Sequence, residues 1–529
     1  MSTVEPWLPC APSLNLLTAE VNVAGASHNE PAPPTILQWS KYSENIAMTA
    51  SELKRISNTI WEIPKRGMMR VPGRIVADER LMQNIAADET LEQVANVACL
   101  PGITGYSWAM PDAHVGYGFP IGGVAAMDPE EDGVISPGGV GYDINCGCRV
   151  MTTRLAYHDV RDRMKEMVEG LYKDIPCGVG SAGAIPKLSK RDMHKVLTRG
   201  AAWALEEGYG DAADLDTTEE QGCLSGADPE QISDRAKSRG ETQLGTLGSG
   251  NHFVELGVIE RVFDAETARV YGLEEGCLTL MIHSGSRGLG YQVCDDFLQV
   301  MVRAAAKYGI KLPDRQLCCA PIHSPEGRKY LAAMAAAANY AWANRQIMME
   351  LARRSLQRTL GMDRAALGGT LLYDVCHNIA KLEVHEVDGN RKRLCVHRKG
   401  ATRAFPGSRQ EVPAPYRAVG QPVLVPGDMG TGSLICAGTE GALSMTFGSS
   451  VHGAGRLLSR TAARKAKEAG VLMQELTDRD VVVMARNRRV LTEEMPDAYK
   501  DIDVVGEVLD EAGIGRRVAR TRPVGVVKG

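Results

Sequence analysis

The sequence predicts an α+β fold, one large domain of mixed and antiparallel sheets with helices, whose Gly-rich loops converge on a cleft. Two observations lead there. Short β-like runs stand just before unusual motifs: Leu278-Thr279-Leu280-Met281-Ile282 before His283, Leu371-Leu372-Tyr373-Asp374-Val375 before His377, and Pro422-Val423-Leu424-Val425 before Gly427. Helical and strand-like segments also mix without the regular alternation that a βαβ architecture requires.

In chain order, residues 1–45 read as a disordered tail. Pro31-Ala32-Pro33-Pro34 and scattered small polar residues leave little to bury there. The domain is assigned to residues 46–529, and a globular pattern starts at Ile60-Trp61-Glu62-Ile63. Residues 206–241 are acidic and weakly periodic, which suits an insertion or lid. A long helix is expected from Pro325 to about Leu360. Ser324 can cap it, Pro325 suits its first turn, and Glu326 favours its positive end. No low-complexity linker and no internal repeat divides the chain.

Composition narrows the function classes. With 529 residues a sizeable core is easily buried. The 56 glycines cluster in motifs without a strict period, which excludes collagen-like and flexible-linker readings. A net charge of −5 argues against global electrostatic capture of nucleic acid, though not against a local basic groove. Thirteen cysteines, an odd and irregularly spaced set in so long a chain, suit reduced thiols and a cytoplasmic location. No Lys or Arg precedes Lys41, so the basic start of a signal peptide is missing. No apolar run approaches the ~18 residues that a membrane helix needs.

The most informative stretch is Ser136-Pro137-Gly138-Gly139-Val140-Gly141-Tyr142-Asp143-Ile144-Asn145-Cys146-Gly147. Glycines free the backbone to approach a ligand, and a carboxylate and a thiol follow three residues apart. Four of the 11 histidines, His252, His283, His377 and His452, sit in Gly-rich or polar contexts. Imidazole suits Zn, Mn, Fe or Ni, carboxylate draws Mn or Mg, and thiolate draws Zn. One Asp, one Cys and three His can hold two ions if the thiolate bridges them. Plainer readings stand beside this one. Asp143 suits an Asx turn, Cys146 a small buried hydrophobe, and Cys146 with Cys148 a Cys-x-Cys pair. Spacing alone does not assemble these residues into one site.

Two further patterns carry weight. Pro426-Gly427-Asp428-Met429-Gly430-Thr431-Gly432-Ser433 offers backbone N–H groups for an anion nest, and suits an ordinary turn equally well. The P-loop pattern is absent, and Gly285-x-x-Gly288-x-Gly290 has the wrong spacing for a dinucleotide fingerprint. Basic residues run through Val396-His397-Arg398-Lys399-Gly400-Ala401-Thr402-Arg403, and again at Arg456, Arg460, Arg464, Lys465 and Lys467. Charge runs are usually solvated surface. Two of them flanking candidate chemistry suggest a polyanionic substrate.

Together these residues resemble the RtcB family of RNA ligases over residues 60–529. The resemblance rests on Pro111-Asp112-Ala113-His114-Val115-Gly116-Tyr117-Gly118, on residues 143–147, on Gly248-Ser249-Gly250-Asn251-His252, on His283-Ser284-Gly285-Ser286-Arg287-Gly288, on residues 397–403, on His452-Gly453-Ala454-Gly455-Arg456, and on the ending Val526-Val527-Lys528-Gly529. It implies an RtcB-like catalytic domain that joins RNA 2′,3′-cyclic phosphate or 3′-phosphate ends to 5′-hydroxyl ends, as in tRNA splicing and RNA repair. GTP and two Mn²⁺ ions are the implied cofactors. Asp143, Cys146 and His252 would hold one ion, and Cys146, His283 and His377 the other. His452 would be the catalytic nucleophile that accepts GMP and passes it on as an RNA-(3′)pp(5′)G intermediate. Asn251, His252, Glu255, His377, Asn378, Pro426, Gly427, Asp428, Met429, Ser433, His452, Gly453, Ala454, Gly455, Tyr499 and Lys528 would surround the guanylate. The implied partners are RNA, as tRNA exon halves or broken ends, and an archease-type activator. A eukaryotic member would also suit the nucleus. Cys148 lies outside the family pattern, and His114 has no assigned chemistry. The sequence leaves the oligomeric state open. A metal-dependent RNA end-processing phosphodiesterase, a 3′-end-capping nucleotidyltransferase and a non-catalytic RNA-binding subunit stand as alternatives.

Overall fold

The computed structural model describes residues 52–529, so the tail assigned to 1–45 and the boundary at 46 lie outside the described residues. Two antiparallel-rich sheets organise the chain. The first has seven strands in the order Lys54–Arg55, Ile60–Ile63, Gly73–Val76, Ile103–His114, Ile121–Met127, Asn390–Lys399 and Asn378–Val387. The second has eight strands. Seven run in the order Thr370–Cys376, Gly147–Ala156, Cys277–Ser284, Phe253–Val262, Arg516–Lys528, Gly432–Ala437 and Pro422–Asp428. Val482–Ala485 joins the second sheet alongside Arg516–Lys528, in parallel. The three β-like runs read from sequence all lie in this second sheet.

Its register is what builds a site. Gly147 pairs with both Cys376 and Ser284, and Phe253 pairs with both His283 and Lys528. Antiparallel neighbours alternate direction, so one edge of the sheet collects the starts of some strands and the ends of others. That edge therefore gathers Cys146, His252, His283, His377 and Lys528 from five separate strands or their flanking residues. A two-stranded ribbon, Ala401–Arg403 with Ser449–Val451, delivers His452 to the same place.

The helix Pro325–Leu360 forms as its sequence signals require. Ser324 accepts the Gly327 N–H at its start, and Gly361 ends it in the left-handed region at φ 68°. It is buried along most of its length, with Tyr330, Tyr340, Trp342, Arg345 and Arg353 all inaccessible to water. Small alanines through its middle let the helices Lys190–Arg199 and Arg287–Lys307 approach closely, while Met164–Asp174 packs against its C-terminal part. Residues 206–241 contain the short helices Ala212–Asp216 and Asp234–Gly240. Two acids there are buried: Asp214 pairs with Arg353 at 2.7 Å and Glu219 with Lys381 at 2.6 Å.

The basic runs depart from expectation. Residues 397–403 form buried strand, where Arg398 makes a two-pronged bond to Glu383 at 2.6 and 2.8 Å and Arg403 pairs with Glu220 at 2.8 Å. Arg456 and Arg460 share Glu494, and Lys467 meets Glu475 and Asp497. Sequence shows cations but not the acids that distant segments fold against them.

Candidate active site

Asp143, Cys146, His252, His283 and His377 meet at the common sheet edge. The Cys146 Sγ lies 3.3 Å from His252 Nε2 and 3.2 Å from His283 Nε2. His283 Nε2 faces His377 Nε2 at 3.3 Å, and His252 Nε2 lies 2.9 Å from Asp143 Oδ2. Cys148 also sits within 4.8 Å of ligand atoms of His283 and His377. The loop between Gly141 and Gly147 is locked from several sides. Asn145, at φ 54°, donates its amide to the Asn378 carbonyl at 2.8 Å and its side-chain N–H to the Ala338 carbonyl at 2.7 Å. Arg345, from the long helix, donates to the Asn145 and Ser284 carbonyls at 2.7 and 2.9 Å and forks onto Asp374. Gly285 is required by close approach, because a Cβ there would sit 2.4 Å from the Asp143 carboxylate.

This donor set fits divalent metal. Burial pushes the Cys146 thiol well up, with the Asp143 charge adding to it, and burial pushes His283 and His377 well down. Burial also opposes the Asp143 charge, but the His252 ring outweighs it and holds the carboxyl at about 2. Imidazole nitrogens turned on one another and on a sulfur are poor hydrogen-bonding company and good ligands. With its Nδ1–H committed to the Leu247 carbonyl at 3.0 Å, His252 turns Nε2 inward, where a metal ion would take the place of the proton shared with Asp143.

His452 stands beside this cluster, its ring 5.0 Å from that of His377. Asp112, fully buried, fixes it: one carboxylate oxygen accepts the His452 N–H at 2.9 Å, the ring Nδ1–H at 2.6 Å and the Gly453 N–H at 3.3 Å. With the Nδ1 proton so held, the Nε2 lone pair is free. Lys500 secures Asp112 in turn by donating to the carbonyls of Pro111 and Ala113 on either side of it, at 3.2 and 2.6 Å. Gly455, at φ 75°, passes so close that a Cβ would lie 2.1 Å from the Asp112 carbonyl. The sequence reading missed Asp112 as a site residue, although the signal was there: it lies two residues before His114 in a motif already singled out.

Two cavities meet at His452. The larger, about 550 Å³, is walled by Asn251, Glu255, Pro426, Gly427, Asp428 and Met429. Gly453, Ala454, Gly455, Tyr499 and Lys528 also line it, joined by His114, Arg456 and Arg460, which sequence had not placed there; His252, His377 and Asn378, expected around the same guanylate, do not line it. The smaller, about 250 Å³, is lined by Tyr117, Tyr142, Asp143, Cys146, His377, Asn378 and Lys399. Asn251 and His452 belong to both. Ser433 is buried behind the wall, its Oγ accepting the Gly427 N–H at 3.2 Å. The 426–433 segment is a hairpin turn rather than an anion nest, because Asp428 Oδ1 already accepts the Gly430 and Thr431 N–H groups at 2.8 and 2.9 Å. Within the larger cavity burial raises Glu255 to about 8, and burial lowers Lys528 to about 8 against the pull of Glu494.

A buried Cys–His₃ cluster with the half-buried Asp143 against it, next to an oriented histidine between two cavities, has the donor set of a metal-dependent enzyme. Comparison with known proteins gives the family. Residues 93–529 match the family model described as tRNA-splicing ligase RtcB, and the chain belongs to the RtcB family. It is 53% identical over 478 residues to the tRNA-splicing ligase RtcB of Thermococcus kodakarensis, covering 90% of this chain and 99% of that one. The Archaeoglobus fulgidus protein of the same name is 53% identical over 479 residues, with the same coverage of both chains. The RNA-splicing ligase RtcB of Mycobacterium bovis is 50% identical over 438 residues, 83% of this chain and all of that one.

Proposed function

We propose that this RtcB-family RNA ligase seals RNA 3′-phosphate or 2′,3′-cyclic phosphate ends to 5′-hydroxyl ends, with His452 as the guanylate carrier and Mn²⁺ at the Cys146 cluster. The observation that carries the reading is the position of His452. It is shared by the two cavities, oriented by Asp112, and beside the metal-ligand histidines. The larger cavity suits GTP and the smaller one the RNA end.

The steps follow from that placement. The His452 Nε2 lone pair attacks the α-phosphorus of GTP, a P–N bond forms, and pyrophosphate leaves with the electrons of the broken P–O bond. Asp112 holds the Nδ1 proton and so stabilises the charge that the ring acquires. An RNA 3′-phosphate oxygen then takes the guanylyl group and frees His452. Finally the 5′-hydroxyl attacks the activated 3′-phosphate and GMP departs. Asp143, Cys146 and His252 would hold one ion and Cys146, His283 and His377 the second. When bound, these ions would neutralise phosphate charge and activate a water that opens a cyclic phosphate. Asn251, Glu255, Tyr499 and Lys528 would position the guanylate, with the Lys528 ammonium meeting its phosphate. The relatives' names extend the proposal to tRNA exon halves as substrate, and an archease-type activator remains part of it. So does a single catalytic domain from residue 46 onward, with 206–241 as an insertion. Among the described residues, no helix is long and apolar enough to cross a membrane.

The test is covalent labelling. Incubated with α-³²P-GTP and Mn²⁺, the protein should acquire acid-labile label, and His452→Ala should lose it by at least two orders of magnitude. Undiminished label in that variant removes His452 from the reaction. Sealing of a 3′-phosphate RNA to a 5′-hydroxyl RNA in the same tube separates a ligase from an end-capping enzyme.

A further inference from the structure

Three tyrosines lead out of the smaller cavity. Tyr117 and Tyr142 line it beside Asp143 and Cys146. Their rings meet edge to face, with centroids 5.7 Å apart. Tyr142 then stacks on Tyr291, with centroids 4.8 Å apart and planes 25° from parallel. Tyr291 lies near the start of the helix Arg287–Lys307 and is 47% exposed. The Arg239 guanidinium lies 5.3 Å from the Tyr291 centroid, tethered by its bond to Gln292 at 3.1 Å. The array is thus half-buried at its inner end and open to solvent at the other, where a planar cation lies over an exposed aromatic ring.

Packing does not account for that outer end. A tyrosine held half in water gains little from burial. Stacked rings that end in an exposed tyrosine with a guanidinium over it form the kind of surface, ring and guanidinium plane together, on which single-stranded bases stack. The charges nearby argue for stacking over phosphate capture. Asp295 lies one turn along the helix from Tyr291, and its charge acts on Tyr142. Asp296 is tied to Gln292 and Ser233. A phosphate track lined by carboxylates would repel its ligand, whereas a ring face is indifferent to them.

We infer that Tyr291, backed by Tyr142 and flanked by Arg239, is a stacking platform for a base of the RNA strand whose 3′-phosphate lies in the smaller cavity. This rests on the ligase reading above and adds a positioning role for residues outside the reaction centre. Because every base has a π-face, the platform would be tolerant of sequence. It would hold the strand by its final unpaired nucleotides and so favour single-stranded ends over blunt duplex ends.

The experiment uses the full chain and a short 3′-phosphate RNA carrying 2-aminopurine at each of its last three positions in turn. On wild-type protein, emission should be quenched at one of these positions. Tyr291→Ala should restore that emission and weaken binding on the order of tenfold, while Tyr291→Phe should behave as wild type. Replacing the quenched base by an abasic residue should cost wild type a similar factor and cost Tyr291→Ala nothing further. The losses should be similar at low and high salt. Tyr291 is exposed, and an unchanged thermal midpoint verifies the fold of each variant. Unchanged affinity and emission in Tyr291→Ala would overturn the inference. So would a loss that disappears at high salt, or a variant whose only defect is binding of a protein partner. Failure of the wild-type protein to take label from GTP is a separate result, and it strikes the ligase reading instead.

Discussion

Asp112 and His452 form the most consequential pair of single residues. A carboxylate on Nδ1 sets the tautomer that leaves Nε2 nucleophilic, and it offsets positive charge on the ring as the P–N bond forms. The same oxygen also accepts two backbone N–H groups from the 452–453 segment, so the pair fixes both ring and loop. Asp112→Asn should therefore cut the rate of GTP labelling about 100-fold or more while the content of bound metal is unchanged, with single-turnover labelling and metal analysis as the two measurements. Equal loss of metal and label would assign Asp112 to the fold of the cluster instead. Sequence reading singled out Asp143, Cys146 and the histidines as candidate metal ligands because Cys and His are few and chemically distinctive and because their motifs match the family. It passed over Asp112 because a lone Asp in a Gly-rich motif carries no mark of its partner, which lies 340 residues away.

At the scale of elements, the helix Pro325–Leu360 acts as the spine against which the metal loop is set. Its caps and length were readable from sequence, since both are local: Ser324 at one end, Gly361 at the other, alanines between. Its most important contact was not readable. Arg345 is fully buried and satisfies Asp374, the Asn145 carbonyl and side chain, and the Ser284 carbonyl at once. That single guanidinium ties the helix to three segments around the site. Arg345→Met would leave Asp374 beside only the buried Arg149, at 3.6 Å, and would remove the brace on Asn145. The expected cost is about 3–5 kcal/mol, seen as a lower thermal midpoint, together with weakened metal retention at temperatures where the protein is still folded. The basic strand 397–403 teaches the same lesson. Arg398 and Arg403 face inward because Glu383, Glu219 and Glu220 wait there, Lys399 turns in onto the carbonyls of Tyr117 and Phe119, and no local pattern announces these partners.

For the whole molecule, the second sheet brings together residues from position 143 to position 528, and the larger cavity buries ionisable groups at that edge. Glu255 is held at about 8, above its ordinary 4.5, by burial first and by Asp428 second. The folded protein thus keeps a proton that the unfolded chain releases between these values. The stability this group contributes is complete below about 4.5 and is lost as pH rises through about 8. Lys528, held at about 8 against an ordinary 10.5, works in the opposite sense: the unfolded chain keeps the proton longer, so stability rises with pH between about 8 and 10.5. Thermal midpoints of nucleotide-free protein, measured from pH 5 to 10, should carry both trends. Glu255→Gln should remove the loss between pH 5 and 8, and a difference curve that is flat across that window in the wild type refutes the buried-carboxyl account. Deprotonation of Lys528 above about 8 should also weaken GTP binding, if that ammonium meets a phosphate.

The sequence by itself determined what is local or chemically rare: the α+β class, the long capped helix, the strands before His283 and His377, and the candidate ligand and nucleophile types within Gly-rich motifs. Tertiary structure alone decided what depends on register and burial. Antiparallel pairing chose which strand ends share an edge, and so turned Asp143, Cys146, His252, His283 and His377 into one cluster whose neighbouring donor atoms lie 2.9–3.3 Å apart. Burial then decided which cations serve the core, that Asp112 orients His452, and that Tyr291 is left facing water. The physical reason is that backbone propensity and side-chain chemistry act over a few residues. Pairing partners, ion-pair partners and solvent exposure are set by segments hundreds of residues apart, whose meeting is fixed only when the whole core closes.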